Sequence, residues 1–244
     1  MRYCFVIPNY NHVACIDSLI SALTAFELPI IMVNDASDET VKQQLVAIEG
    51  STPSLTLLHH DVNQGKGGAV QTGLKYALAN GFDYAIQVDA DGQHCLDDIT
   101  RLLTLSHQHP EDVISGKPVY DDSIPKHRYW ARYITHFWVI VETLSLQLKD
   151  TMCGFRVYPL KPSVALINQV NIGKRMDFDI EILVRLYWRG TNTQFIDTKV
   201  IYPEAGTSHF RAFEDNVRIS WMHTKLCFGM LLRLPKLLFR RSKP

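Results

Sequence analysis

The sequence has no long hydrophobic run. No stretch approaches the roughly 20 apolar residues that a membrane-spanning helix needs. The first apolar run gives way at Pro8 to Asn9-Tyr10-Asn11, too short for the apolar segment of a secretory signal. Excess charge is missing as well: 25 Lys and Arg stand against 25 Asp and Glu. No global field therefore recruits nucleic acid, and the chemistry must lie in local clusters. Cysteines are few and scattered. Cys4, Cys15, Cys95, Cys153 and Cys227 are odd in number and form no C-x-x-C pair, which argues against a disulfide framework or a zinc knuckle and fits a reducing cytosol. Two phosphate-binding signatures are also absent: the glycine-rich stretch Asn63-Gln64-Gly65-Lys66-Gly67-Gly68 is neither a Walker loop nor a G-x-G-x-x-G fingerprint.

What is present is a chain of 244 residues, 46% of them hydrophobic, enough to bury the core of one large α/β domain, alone or with an appendage. Short apolar runs rich in β-branched or aromatic residues at 3–7, 30–33, 55–59 and 84–88 read as strands. Helical patterns lie between them at 15–28, 39–48 and 69–79, the first stopped by Pro29. Strand and helix in alternation predict right-handed crossovers and a mostly parallel sheet covered on both faces. Such sheets bind ligands beyond the carboxyl ends of their strands. The residues to read are therefore Pro8-Asn9-Tyr10-Asn11, Asn34-Asp35-Ala36-Ser37-Asp38, the stretch from Asn63 to Gly68, and Asp89-Ala90-Asp91.

QVDADGQH ends the fourth of these runs with carboxylates at Asp89 and Asp91 and an amide at Gln93. If the extended conformation persists, all three point to one side and offer oxygen ligands to a divalent cation. The competing reading is a solvated turn or an N-cap for the helical segment at 96–105. Asp35 can accept from a base N–H or a ribose hydroxyl, or simply form an Asx-turn. Lys66 and the amides opening its helix can face a diphosphate, or the glycines can serve tight packing. His59, His60 and His94 have no partner at metal-ligand spacing, so surface or capping roles are expected.

In this order and spacing, VIPNYN, VNDASDE, NQGKGGAVQTG, QVDADGQH and DTMCGFRVY resemble a family 2 glycosyltransferase with the nucleotide-sugar-binding fold called GT-A. The flavour is that of dolichyl- or polyprenyl-phosphate sugar synthases. MDFDIE and GTSHFR add a weaker likeness to bacterial members of lipid pathways. The resemblance covers residues 1–210, leaving 211–244 as an amphipathic, basic helical tail. It implies that Asp35 holds the donor base, and that Asp89 and Asp91, with Gln93, hold Mg2+ or Mn2+ and the sugar diphosphate. Pro8, Asn9, Tyr10 and Lys66 are expected to border the donor, with His209 and Arg211 reaching it from the loop at 202–211.

The acceptor remains open at this level. A hydroxyl needs a base, which the resemblance places in MDFDIE, at Asp179 or Asp177. The alternative is that Asp177 caps a helix while Glu181 pairs with Arg185 at i, i+4. A phosphate needs no base, and Lys126, Arg128 and Arg132 at the head of an apolar helix would clamp it. From Asn216 onward there is no acidic residue, and basic residues alternate with Trp221, Phe228 and leucines. That tail either lies on an anionic membrane or packs on its own domain or a twin subunit. The expectation is thus a metal-dependent inverting glycosyltransferase on the cytoplasmic face of the membrane. It moves a sugar from a nucleotide-diphosphate sugar to a lipid-linked hydroxyl, with a polyprenyl-phosphate acceptor, a silent nucleotide-sugar binder or a nucleotidyltransferase as the other readings.

Overall fold

The computed structural model describes residues 1–119, 126–199 and 212–239, with the backbone alone for 126–131 and 212. The expected alternation opens the chain. β1 (Tyr3–Asn9), α1 (Ile16–Thr24), β2 (Ile30–Asn34), α2 (Glu39–Ser51), β3 (Leu55–His59), α3 (Lys66–Ala79) and β4 (Tyr84–Gln87) follow one another. After them come α4 (Ile99–Gln108), β5 (Val113–Val119), α5 (Lys126–Thr143), β6 (Arg156–Pro159), α6 (Leu160–Gln169), α7 (Phe178–Arg189), β7 (Thr193–Lys199), α8 (Ala212–Leu231) and α9 (Leu234–Leu238).

Among the described residues the strands form one seven-stranded sheet in the order β3-β2-β1-β4-β6-β5-β7. The β3, β2, β1 and β4 neighbours are parallel, as are β5 and β7, while β6 runs antiparallel to both β4 and β5. Every residue of β1 and β2 is buried, because an interior parallel strand carries helices on both faces. Alternate side chains serve the two faces. Phe5 and Ile7 pack with Ile16, Leu23, Leu45 and Ile99, whereas Cys4 and Val6 pack with Val70, Leu74, Ile180 and Leu183. Pro8 is tolerated in a central strand because β4 pairs with β1 only as far as Val6.

Element boundaries differ from the sequence reading in explicable places. α1 stops at Thr24, four residues short of Leu28. Glu27 takes φ 55, and Phe26 turns its ring edge-on to Phe5 at 6.0 Å. α3 starts at Lys66 rather than Ala69, so Gly67 and Gly68 lie inside its first turn.

The tail does not stand apart from the rest of the fold. Met222, Leu226, Met230 and Leu237 join the same buried cluster as Leu183 and Trp188. His223 meets Glu142 of α5 at 2.7 Å. The opposite face of α8 is bare, with Phe213, Val217, Trp221 and Phe228 more than half exposed. No helix among the described residues is long and apolar enough to cross a membrane.

α3 crosses β1 at Gly73, where an added Cβ would stand 2.4 Å from Val6 Cγ1. Gly to Ala within a helix ordinarily gains about 1 kcal/mol, but overpacking a strand interface loses about 1–3 kcal/mol. Gly73→Ala should therefore lower the melting temperature by several degrees, at roughly 2–4 °C per kcal/mol. Thermal unfolding followed by circular dichroism decides between the two effects.

Candidate active site

At the carboxyl edge of the sheet, Lys66 joins two carboxylates from distant parts of the chain. Its Nζ donates to Asp89 Oδ2 at 2.8 Å and lies 2.9 Å from Asp179 Oδ2. Asp89 follows β4, Lys66 opens α3, and Asp179 sits in the first turn of α7. Gln87, the last residue of β4 and wholly buried, donates from Nε2 to Asp89 Oδ1 at 3.2 Å and to Asp179 Oδ1 at 3.5 Å.

Arg156 lies beneath this group with no exposed surface. It donates to the carbonyls of Asp179 and Thr151, both at 2.7 Å, and to Ser115 and Tyr158 hydroxyls at 3.2 Å. Its burial and carbonyl partners make Arg156 a scaffold residue.

Burial opposes the Lys66 ammonium, but Asp179 and then Asp89 outweigh it and hold its pKa well above the ordinary lysine value. Burial likewise opposes the Asp89 carboxylate. The Lys66 ammonium, with His94 behind it, outweighs that effect and keeps Asp89 well below the usual carboxylate range. Gly154 closes the group from the β6 side. A Cβ there would come within 2.7 Å of Asp89 Oδ2, Gln87 Nε2 and Lys66 Nζ, so only a hydrogen fits.

The other strand-edge residues gather as expected, several in other roles. Asp35 is buried, with Oδ1 accepting from Gln64 N at 2.8 Å and meeting His60 Nδ1 at 2.7 Å, and Oδ2 accepting from Gly65 N at 2.7 Å. In this arrangement it shapes the loop after β3 rather than offering a free oxygen to a base. His60 is correspondingly no surface residue; its Nε2 reaches Thr72 Oγ1 at 2.8 Å. Asn9 is also buried and folds its own loop through His12, while Tyr10 stands exposed at the edge beyond Pro8. The glycines of α3 serve packing: a Cβ on Gly67 would stand 2.3 Å from Phe178 Cβ.

The extended conformation does not persist past Gln87. Residues 90–92 turn, Gly92 has φ 68, and Asp91 Oδ1 accepts from Gln93 N at 3.1 Å. Asp91 and Gln93 therefore follow Asp89 on a loop and not on the pleat of a strand.

In the second half, Asp179 faces the cluster and Asp177 does not. Asp177 Oδ1 accepts from Arg175 N at 3.1 Å, and the carboxylate packs over Gly173. Burial raises its pKa. Although Asp177 sits at the N-cap of α7, its side chain makes no capping bond. Glu181 pairs with Arg185 at 2.7 Å, as the i, i+4 spacing suggested. Arg132 is bound to Asp150 by bonds of 2.8 and 3.2 Å, bracing the loop that carries Gly154. The side chains of Lys126 and Arg128, and the whole of His209 and Arg211, lie outside the described residues.

For a divalent cation the donor set is hard oxygen: two carboxylates and an amide. Among the described residues no three His, Cys, Asp or Glu groups form a cage. Mg2+-type sites need none, because one or two carboxylates plus substrate phosphates usually suffice. Gln87 Oε1, buried in the same cluster without a hydrogen-bond partner, is a further oxygen beside Asp89. These residues fit a cation whose coordination a diphosphate completes.

A nucleotide-sugar-type edge of this kind defines a class, and sequence comparison assigns it. The profile of Glycosyl transferase family 2 matches residues 4–162. The chain belongs to that family and is a glycosyltransferase. Dolichyl-phosphate beta-glucosyltransferase of Dictyostelium discoideum is 25% identical over 253 residues, covering 95% of this chain and 76% of the relative. Undecaprenyl-phosphate mannosyltransferase of Micrococcus luteus is 25% identical over 215 residues, covering 85% of this chain and 87% of the relative.

Two solved structures share the GT-A fold at low identity. S. aureus TarS 1-349 in complex with UDP-GlcNAc has a TM-score of 0.61 and 16% identity, covering 93% of this chain and 66% of that one. The mannosyltransferase PcManGT from Pyrobaculum calidifontis, with GDP-Man and Mn2+, has a TM-score of 0.60 and 14% identity, covering 100% of this chain and 66% of that one. This chain thus spans just under two thirds of either solved chain.

Removing Lys66 leaves two largely buried carboxylates facing each other without a cation, a change that typically loses about 3–5 kcal/mol. Lys66→Met should therefore destabilise the fold by that order, whereas Lys42→Met, on an exposed pair with Glu39, should change it by under about 1 kcal/mol. Urea denaturation of the two variants side by side measures the contrast.

Proposed function

We propose that this chain is a polyprenyl-phosphate sugar synthase. It moves a sugar, with inversion, from a nucleotide-diphosphate sugar to a lipid-borne phosphate at the cytoplasmic surface of a membrane. Mg2+ or Mn2+ is held by Asp89, Asp91 and Gln93.

The observation that carries the choice of acceptor is the state of Asp179. A hydroxyl acceptor must lose its proton, and a positioned carboxylate supplies about 100- to 10,000-fold there. The Asp179 side chain is only 6% exposed, and its Oδ2 is paired with Lys66. To take a proton it would have to break that pair. Asp177 is committed to the Arg175 backbone. A phosphate acceptor is already an anion and asks nothing of either. The names of the relatives agree, since those proteins are named for lipid-phosphate acceptors.

In this reading Lys66 holds Asp89 in place and neutralises Asp179, so that an incoming anion does not meet two bare carboxylates. Asp35, through His60 and the amides of Gln64 and Gly65, fixes the loop that borders the nucleoside. Gly154 lets the segment before β6 close tightly on the cluster. A bound divalent cation supplies Lewis-acid stabilisation of the departing diphosphate.

The bare face of α8, together with exposed Tyr133, Ile134, Phe137 and Trp138 of α5, suits the headgroup layer. Arg218, Lys225, Arg233 and Lys236 add about 1 kcal/mol each on an anionic leaflet.

The direct test is a panel of nucleotide sugars with Mn2+, offered polyprenyl phosphate or polyprenol. Transfer to the phosphate alone is expected; transfer to polyprenol alone overturns the acceptor assignment. Asp179→Asn should slow the phosphate reaction by less than about tenfold, against the 100-fold or greater loss a general base would give. Trp221→Asp combined with Phe228→Asp should abolish co-sedimentation with anionic vesicles. Binding that survives both changes removes α8 from the membrane surface.

A further inference from the structure

His94 is a buried polar side chain of this site that stands behind Asp89 but is held by no hydrogen bond. Its side chain is 9% exposed, and its ring stacks on Phe155 with centroids 4.9 Å apart and planes 13° apart. Neither ring nitrogen has a hydrogen-bond partner, and neither is open to water. Nε2 stands 3.4 Å from Asp89 Oδ2, close but short of a formed bond. An imidazole buried without partners is destabilising by itself, so its place needs a reason.

The surroundings supply one. Asp89 is reached by Gln87 at Oδ1, and by Lys66 and His94 at Oδ2. Phe155 fixes the imidazole plane from behind. The loop carrying Asp91 and His94 arches over a cavity of about 170 Å³ lined by Cys15, Ser18, Leu19 and Gly92. That space lets the loop shift by the few tenths of an ångström that separate the present 3.4 Å from a formed hydrogen bond.

We propose that His94 is a positioning residue: its Nε2–H bonds Asp89 when that carboxylate engages the cation, holding the carboxylate in the orientation that the cation needs. This rests on the cation reading above and deepens it. Groups of this kind typically change metal affinity by about 10- to 100-fold when removed.

The test uses His94→Phe, which keeps a ring on Phe155 but has no N–H, and His94→Gln, which restores a donor. Mn2+ affinity is measured by electron paramagnetic resonance in the presence of UDP or GDP, and melting temperature is read alongside. His94→Phe should bind Mn2+ about 10- to 100-fold more weakly at an unchanged or raised melting temperature, with His94→Gln recovering much of the loss. Wild-type affinity in His94→Phe, or a His94→Gln no better than His94→Phe, overturns the proposal and leaves the cation site standing. Absence of nucleotide-linked Mn2+ binding in the wild type overturns both.

Discussion

One ammonium between two carboxylates organises this molecule. Lys66 comes from the start of α3, Asp89 from the end of β4 and Asp179 from the start of α7, so their meeting fastens the strand-helix-strand half of the chain to the half that follows. Each carboxylate has a second hold, Gln87 on both and the buried Arg156 on the Asp179 backbone. Two cations and two anions balance in a largely dry space, so none of them lies there without a counter-charge.

That balance also bears on the acceptor. A carboxylate serves as a base when its charge is free to take a proton, and Asp179 has instead become part of the ionic framework. In the proposed function the chemistry is left to groups that stabilise a departing anion, a natural match for a nucleophile that carries its own negative charge. Asp35, expected to touch the donor, also holds backbone: its carboxylate fixes Gln64 and Gly65 beside the site.

Much of the fold was legible because interior parallel strands are written as unbroken apolar runs. β1 to β4 lie within two residues of where those runs fall, and the edge they create carries the expected polar residues. The pairing of Glu181 with Arg185 followed from helical periodicity alone. The histidines were not legible. His60 and His94 look like surface residues in sequence; Asp35 and Thr72 bury the one, Phe155 the other, and those neighbours are contributed by other elements. Gln87 escaped notice because an amide inside an apolar strand gives no sign of which partners the pleat will bring it. The spacing of Asp89, Asp91 and Gln93 suggested a pleated strand, but Gly92 and the Asx-type bond to Gln93 made a loop.

The single reversed strand has a consequence of its own. Because β6 runs against β4, it is the beginning of β6 that stands beside the end of β4. The segment from Asp150 to Phe155 is thus delivered as a lintel over the site, braced by Arg132 from outside and Arg156 from within. A lineage that lengthened or reshaped this lintel would reshape the space beside Lys66 and Asp89 while leaving the three parallel crossovers of the first half untouched. One architecture can in this way be refitted to different sugars by editing a span of six residues.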